Sequence, residues 1–431
     1  MQQKKYVSGI CAGLAALLLA GCGSSSNTST KNPVTGIKKR VLISNITPLG
    51  GDVLIVDGQK NAFSTKTFAV GQFGQPSKMV TAGGQTVILN STQSQISVLD
   101  NTTEQVTFNP TLEGQPFDVA VSSDGKTAYA ATKNVGVVEV VNTSNGNVVA
   151  TVTVPGVARL VEGPNGHKLL AFSDNPGGGN TFFVIDTATN TVTSVSDPSL
   201  DQPFTAVFDP SDPNDTTAFI LNCGPECGGT TASVVKINFG GSAPTFTSVT
   251  GPPNAFTASA IAGATVGTLS GSKLFVAGTL PHPPGGACPS NLPNCGTVQI
   301  IDTGSLTAGA PVPITDGVHL VMAMTGNNRL YIGAAHCTVG PTSPQNTVQG
   351  CLSIFDTGSG ASSTNPVVPT ESSFRQNFDV TGLQPISSSN VIYVVQGGEL
   401  DIFDITTSLP STTIQQLDVN GRLMDALQID P

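Results

Sequence analysis

The alternation of apolar and polar positions is clearest from Gln115 to Gly156, QPFDVAVSSDGKTAYAATKNVGVVEVVNTSNGNVVATVTVPG. Residues 117–121 alternate with the period of a half-buried strand. Ser122-Ser123-Asp124-Gly125 is a turn, because Gly125 can take a positive φ without a Cβ clash. Residues 127–132 predict a second strand, and residues 133–135 link it to a third over 137–141. Asn142 to Gly146 turns again, residues 148–154 make a fourth strand, and Pro155-Gly156 stops it. The four strands, A to D, form one antiparallel unit.

The end of strand C recurs as an apolar run closed by Asp or Asn. The closing residues are Asp57, Asp100, Asn142, Asp186, Asn238, Asp302, Asp356 and Asp404, spaced roughly 42 to 64 residues apart. Strand B carries an aromatic at one repeat position: Tyr129, Phe219, Phe275, Tyr331 and Tyr393. These units resemble the YVTN-type β-propeller repeat. Asp124, Gly125, Lys126 and Tyr129 match its D-G-K-x-x-Y, and FVIDTATNTV from Phe183 matches its C–D hairpin. The resemblance runs weakly over most of the chain. It implies an all-β propeller fold and a cell-envelope location, and leaves activity open, since propellers host many functions.

Eight units predict a single propeller of eight four-stranded blades, or seven if one weak repeat decorates a neighbour. The first unit, from Arg40, lacks strand A: residues 41–46 are B, 53–57 are C and 65–70 are D. The missing strand stands at the other end, where RLMDALQID follows Asn420-Gly421 and looks like FDVAVSSD. The C-terminal strand is therefore expected to complete blade one and leave no open edge.

Residues 1–21 have the form of a secretion signal, with Lys4 and Lys5 ahead of an apolar stretch too short to span a bilayer. Leu19-Ala20-Gly21-Cys22 resembles a bacterial lipobox. That resemblance implies cleavage before Cys22, diacylation of its thiol and acylation of its amine. Each buried CH₂ of such chains contributes about 0.8 kcal/mol of anchoring. Gly23 stands where Asp would favour the inner membrane, so the outer membrane is expected. Residues 22–39 are rich in Ser, Thr, Asn and Gly and read as a flexible tether, with the propeller over 40–431.

Composition agrees: Trp is absent, with 48 Gly and 30 Pro for many turns. No helical stretch is evident beyond the signal. The net charge is −10, and −12 without residues 1–21, which hold two Lys and no acid. Sparse, acidic charge argues against nucleic-acid binding, which needs clustered cations.

Six cysteines follow Cys22, in pairs that each fall between strands B and C of one repeat: Cys223 and Cys227, Cys288 and Cys295, Cys337 and Cys351. Fifteen pairings are possible. Placement in an exported chain predicts three local disulfides, each pinching one B–C loop. Cys223 and Cys227 with His282 or His336 form the rival zinc set. Asp209, Asp212 and Asp215 invite calcium, although Pro and the repeat register make the segment an A–B turn. Ala334-Ala335-His336-Cys337 looks like the histidine motif of trypsin-like proteases, but no GDSGG accompanies it. No resident metal or cofactor is expected.

B–C and D–A connections of a propeller share one face, the top. There the B–C loops of units four to seven are long, which suggests a recognition surface. The entrance to strand A should line the central channel with Asp425, Lys78, Asp118, Arg159, Thr205 and Asp379. The expected function is a lipid-anchored, non-enzymatic envelope protein that binds a protein or glycan partner, or serves as a scaffold, through the top loops. The alternative comes from similarity to lactonase-like propellers, and implies a hydrolase with Asp118, Arg159, His319 and Asp379 at the channel mouth.

Overall fold

The Asp or Asn that closes each strand C does the same local work in all eight units. Its side-chain Oδ1 accepts the backbone N–H two residues on: Gln59 for Asp57, Thr102 for Asp100, Ser144 for Asn142 and Gly240 for Asn238. Gly304, Gly358 and Thr406 do so for Asp302, Asp356 and Asp404, while Asp186 takes Thr189 one residue further. Each carboxylate or amide thus builds the C–D turn from within.

A computed structural model describes residues 34–70, 74–174, 179–251, 260–279, 296–337, 349–366, 379–406, 413–419 and 421–430. The chain is all-β, with eight antiparallel sheets. Among the described residues the only helical turn is a 3₁₀ segment, Gly224–Cys227. The innermost strands of blades two to eight are Pro76–Ala82, Asp118–Val121, Val157–Glu162, Pro203–Phe208, Val266–Ser270, Val318–Met324 and Val380–Pro385. Each is followed outward by its own B, C and D strands in chain order. Blade six splits its outer strand into Thr307–Ala308 and Val312–Ile314, both paired with Gly296–Asp302.

Blade one is built from both ends of the chain. Its B, C and D strands are Arg40–Thr47, Gly50–Asp57 and Ala62–Ala69, and its A strand is Arg422–Gln428. Ser44 stands opposite Asp425, and Val41 opposite Gln428. The eight A strands touch in sequence around the ring, with Arg422–Gln428 between Val380–Pro385 and Pro76–Ala82. The eight-blade count and the C-terminal closure both hold.

The core is divided among the seams between blades. Eight main apolar clusters each draw on two neighbouring blades. The strand-B aromatics Tyr129, Phe219, Phe275, Tyr331 and Tyr393 are all buried in such clusters. The closing seam packs Leu423 and Ala426 with Tyr393, Leu400 and Ile402. A blade has no core of its own, so the ring is the folding unit.

The compact unit starts at Thr35, five residues before the propeller was expected to begin. Glu104, in the C–D turn of blade two, accepts the Thr35 N–H (2.8 Å) and hydroxyl (2.6 Å). It also pairs with Arg40 (3.1 Å) and Lys66 (3.2 Å), and Arg40 pairs with Asp430 (2.7 Å). Chain entry, blade two and the end of the closing strand are thus clasped together on the bottom face, opposite the B–C loops.

The Cys223–Cys227 and Cys337–Cys351 disulfides are present, each within one B–C connection. Residues 1–33 with Cys22, and Cys288, Cys295 and His282, lie outside the described residues.

Candidate functional site

Each A strand enters the ring with two residues set against one on strand B. Such a bulge bends the strand and re-aims a side chain. The pairing skips Ser77, Ala158, Phe204, Leu320, Thr381 and Met424. Phe117 and Thr265 are placed the same way, since each donates its N–H to the strand-B carbonyl that faces the next residue. These eight residues form the rim of a top-face cavity of about 660 Å³ to which all eight blades contribute.

One residue further down lies the second level: Asp425, Lys78, Asp118, Arg159 and Thr205 on blades one to five, then Val266, Val321 and Gly382. The first seven line the cavity. Charge therefore sits on blades one to four and apolar surface on blades six and seven. Gly382 is glycine for a spatial reason. A Cβ there would stand 3.2 Å from Asp425 Oδ1 and 3.1 Å from the Asp425 Cα.

The two acids are spent on the seams. Asp118 accepts the Val119 N–H (2.9 Å) and, across to blade four, the Leu160 N–H (2.8 Å), and it pairs with Lys78 from blade two. Asp425 repeats the motif at the closing seam, accepting the Ala426 N–H and the Met79 N–H of blade two, both at 2.8 Å. Burial pushes the Asp425 carboxyl up to about 7, against the pull of those two N–H groups and Lys78.

Arg159 is treated differently. Its guanidinium lies 3.5 Å from the centre of the Phe204 ring. Burial lowers its pKa, while the charges of Asp174 and Asp118 act in the opposite direction. Asp174 is itself paired with Lys133 at 2.6 Å. Among the described residues no carboxylate reaches Arg159 within ion-pair distance. Lys133 stands over the ring of Phe117, 5.1 Å from its centre, and Phe117 is 55 % exposed.

The cavity therefore unites Asp425, Lys78, Asp118, Arg159 and Thr205, and leaves out His319 and Asp379. Val321 and Gly382 occupy the level at which His319 and Asp379 were expected, two and three residues further along; Asp379-Val380 copies Asp118-Val119 in sequence without sharing its register. His319 is buried, its Nε2 3.1 Å from the Thr315 carbonyl, and burial pulls its pKa down to about 4. It is neutral and turned into the wall of blade seven. Asp379 is half-buried before its strand begins, close enough to oppose the lowering of the Arg422 pKa.

Rim residues Phe117, Phe204, Leu320 and Met424 escaped the sequence reading. Their only signal is a large apolar residue directly before the aligned strand-A position. The B–C loop of blade five is firmly built. Asp201 Oδ2 accepts the N–H groups of Thr230 (2.8 Å) and Thr231 (2.7 Å), and Glu226 accepts the Thr279 N–H of blade six at 3.0 Å. The carboxylates of Asp209, Asp212 and Asp215 serve the A–B turn and its neighbour: Ser211, Thr216 and His167 N–H groups donate to them. Cys223 and Cys227 are joined to each other, so that pair is not a thiolate donor set.

Comparison with known proteins places the fold and no more. No family model matches the chain. No curated protein matches it either. Among solved structures it is similar to the dihydro-heme d1 dehydrogenase NirN in complex with DHE, at TM-score 0.63 and 11 % identity, covering 90 % of this chain and 75 % of that one. A functionally unknown protein from Desulfotomaculum acetoxidans gives TM-score 0.49 and 11 % identity, with 90 % and 98 % covered. Kuenenia stuttgartiensis hydrazine synthase gives 0.45 and 14 %, with 77 % and 76 % covered. The protein is an eight-bladed β-propeller with a polar mouth on its top face.

Proposed function

We propose that the protein is a lipid-anchored envelope propeller that binds a protein or glycan partner with its top face and performs no chemistry there. The carrying observation is the commitment of the mouth acids. Asp118 and Asp425 each hold a neighbouring blade by its backbone N–H, and His319 lies outside the cavity. Among the described residues no base is left free beside a reacting centre. Two local disulfides suit an oxidising compartment.

Two assays separate this reading from the lactonase-like alternative. Affinity capture from solubilised envelopes should yield a partner that is lost when the 223–231 loop is replaced by a short Gly linker. A panel of sugar lactones should show no opening above the buffer blank. Lactone opening that disappears with Asp118→Ala or His319→Ala would establish the hydrolase instead.

A further inference from the structure

The mouth holds two cations and treats them unequally. Lys78 is paired with Asp118. Arg159 faces the cavity with one side of its guanidinium on Phe204 and no acid partner among the described residues. A guanidinium carries five N–H donors in one plane. Stacking on a ring occupies a face and leaves the edge, whose paired donors match the two oxygens of a carboxylate.

Ala158 is the rim residue of Arg159's own blade, and the phenyl side chains of Phe117 and Phe204 flank it on the adjoining blades. On blades six and seven the wall is apolar: Val266 and Val321, with Leu320 above them 47 % exposed. A charged arc and a greasy wall describe an amphipathic ligand. A cavity of about 660 Å³ is large enough for a small organic molecule.

We infer that the mouth binds a small organic carboxylate with an aromatic or aliphatic body, its carboxylate on the edge of Arg159 and its body against Phe117, Leu320 and Val321. This goes beyond a partner held by the top loops: it places a separate small-molecule site inside the same face. Asp425, on the same level, supports it. With its carboxyl pushed up to about 7 by burial, it is largely protonated under mildly acidic conditions. Lys78, Asp118 and Arg159 then leave the mouth with a net positive charge.

The test is isothermal titration of the full-length protein in detergent at pH 6, against a detergent blank, with 2-naphthoate and 4-biphenylcarboxylate and their uncharged amides. The acids should bind at least tenfold more tightly than the amides. Arg159→Gln should abolish that preference, Arg159→Lys should keep part of it, and Lys126→Ala, at an exposed cation of the blade-three A–B turn, should leave it intact. The comparison within the wild-type protein stands even if a variant fails to fold. Equal binding of acid and amide overturns the carboxylate assignment, as does binding of neither, or a preference that survives Arg159→Gln. Partner capture by the top loops is unaffected by those results and stands or falls on its own assay.

Discussion

Asp118 and Asp425 show how one residue can look catalytic and be structural. Each offers its two oxygens to two backbone N–H groups, one on its own strand and one on the next blade. An acceptor of that kind is hard to replace. Ala would leave two inward N–H groups unpaired, and Asn would turn an NH₂ toward one of them. Asp118→Ala is therefore expected to lower stability by about 2–3 kcal/mol, with Asn restoring less than half. Urea denaturation checks this, and a loss below about 0.5 kcal/mol would mean that water replaces the carboxylate freely. Arg159 is the converse case, a cation held by a ring and left open to the cavity.

At the scale of strands and turns, part of the design was legible and part was not, for a physical reason. The Asp or Asn closing each strand C bonds to the N–H two or three residues away, so its whole job lies within the local sequence. The strand-B aromatics were legible because burial at one repeat position keeps them apolar. The closing strand was legible because RLMDALQID repeats the pattern of an A strand. At the mouth the polar level of Asp425, Lys78, Asp118, Arg159 and Thr205 was legible, but the rim above it was not, because a bulge adds one residue that no alternation reveals. That extra residue hid the rim, while the resemblance of Asp379-Val380 to Asp118-Val119 drew the blade-eight position three residues away from Gly382. The closing seam also makes a prediction. Leu423 is 1 % exposed in the cluster between blades eight and one. Leu423→Ala should cost about 2–4 kcal/mol, measured by denaturant midpoint. A neutral result would show that the seam does not hold the ring.

For the whole molecule, two sets of carboxyls set the pH dependence of stability. Burial raises Glu162 to about 8 and Glu226 and Asp425 to about 7. Their folded pKa values lie above the unfolded ones, so stability is fully present near pH 4 and falls as pH rises through about 8. Glu104 and Asp430 behave oppositely. Burial pushes each up, but Thr35, Lys66 and Arg40 outweigh it at Glu104, and Arg40 at Asp430, leaving both below the usual carboxylate range. Their contribution is complete above the unfolded pKa of about 4 and is lost as pH falls below it. Tm should therefore peak near pH 5, and Glu104→Gln should lower it at pH 5 more than at pH 3. A peak at pH 8 or above would contradict the assignment. The clasp, the seams and the mouth belong to one ring, tied at its bottom face. The most direct measurement is a crystal structure of the protein soaked with 2-naphthoate. The expected result is a carboxylate on the edge of Arg159, with the naphthyl rings between Phe117 and Leu320. A mouth left empty, with the ligand elsewhere or absent, would contradict it.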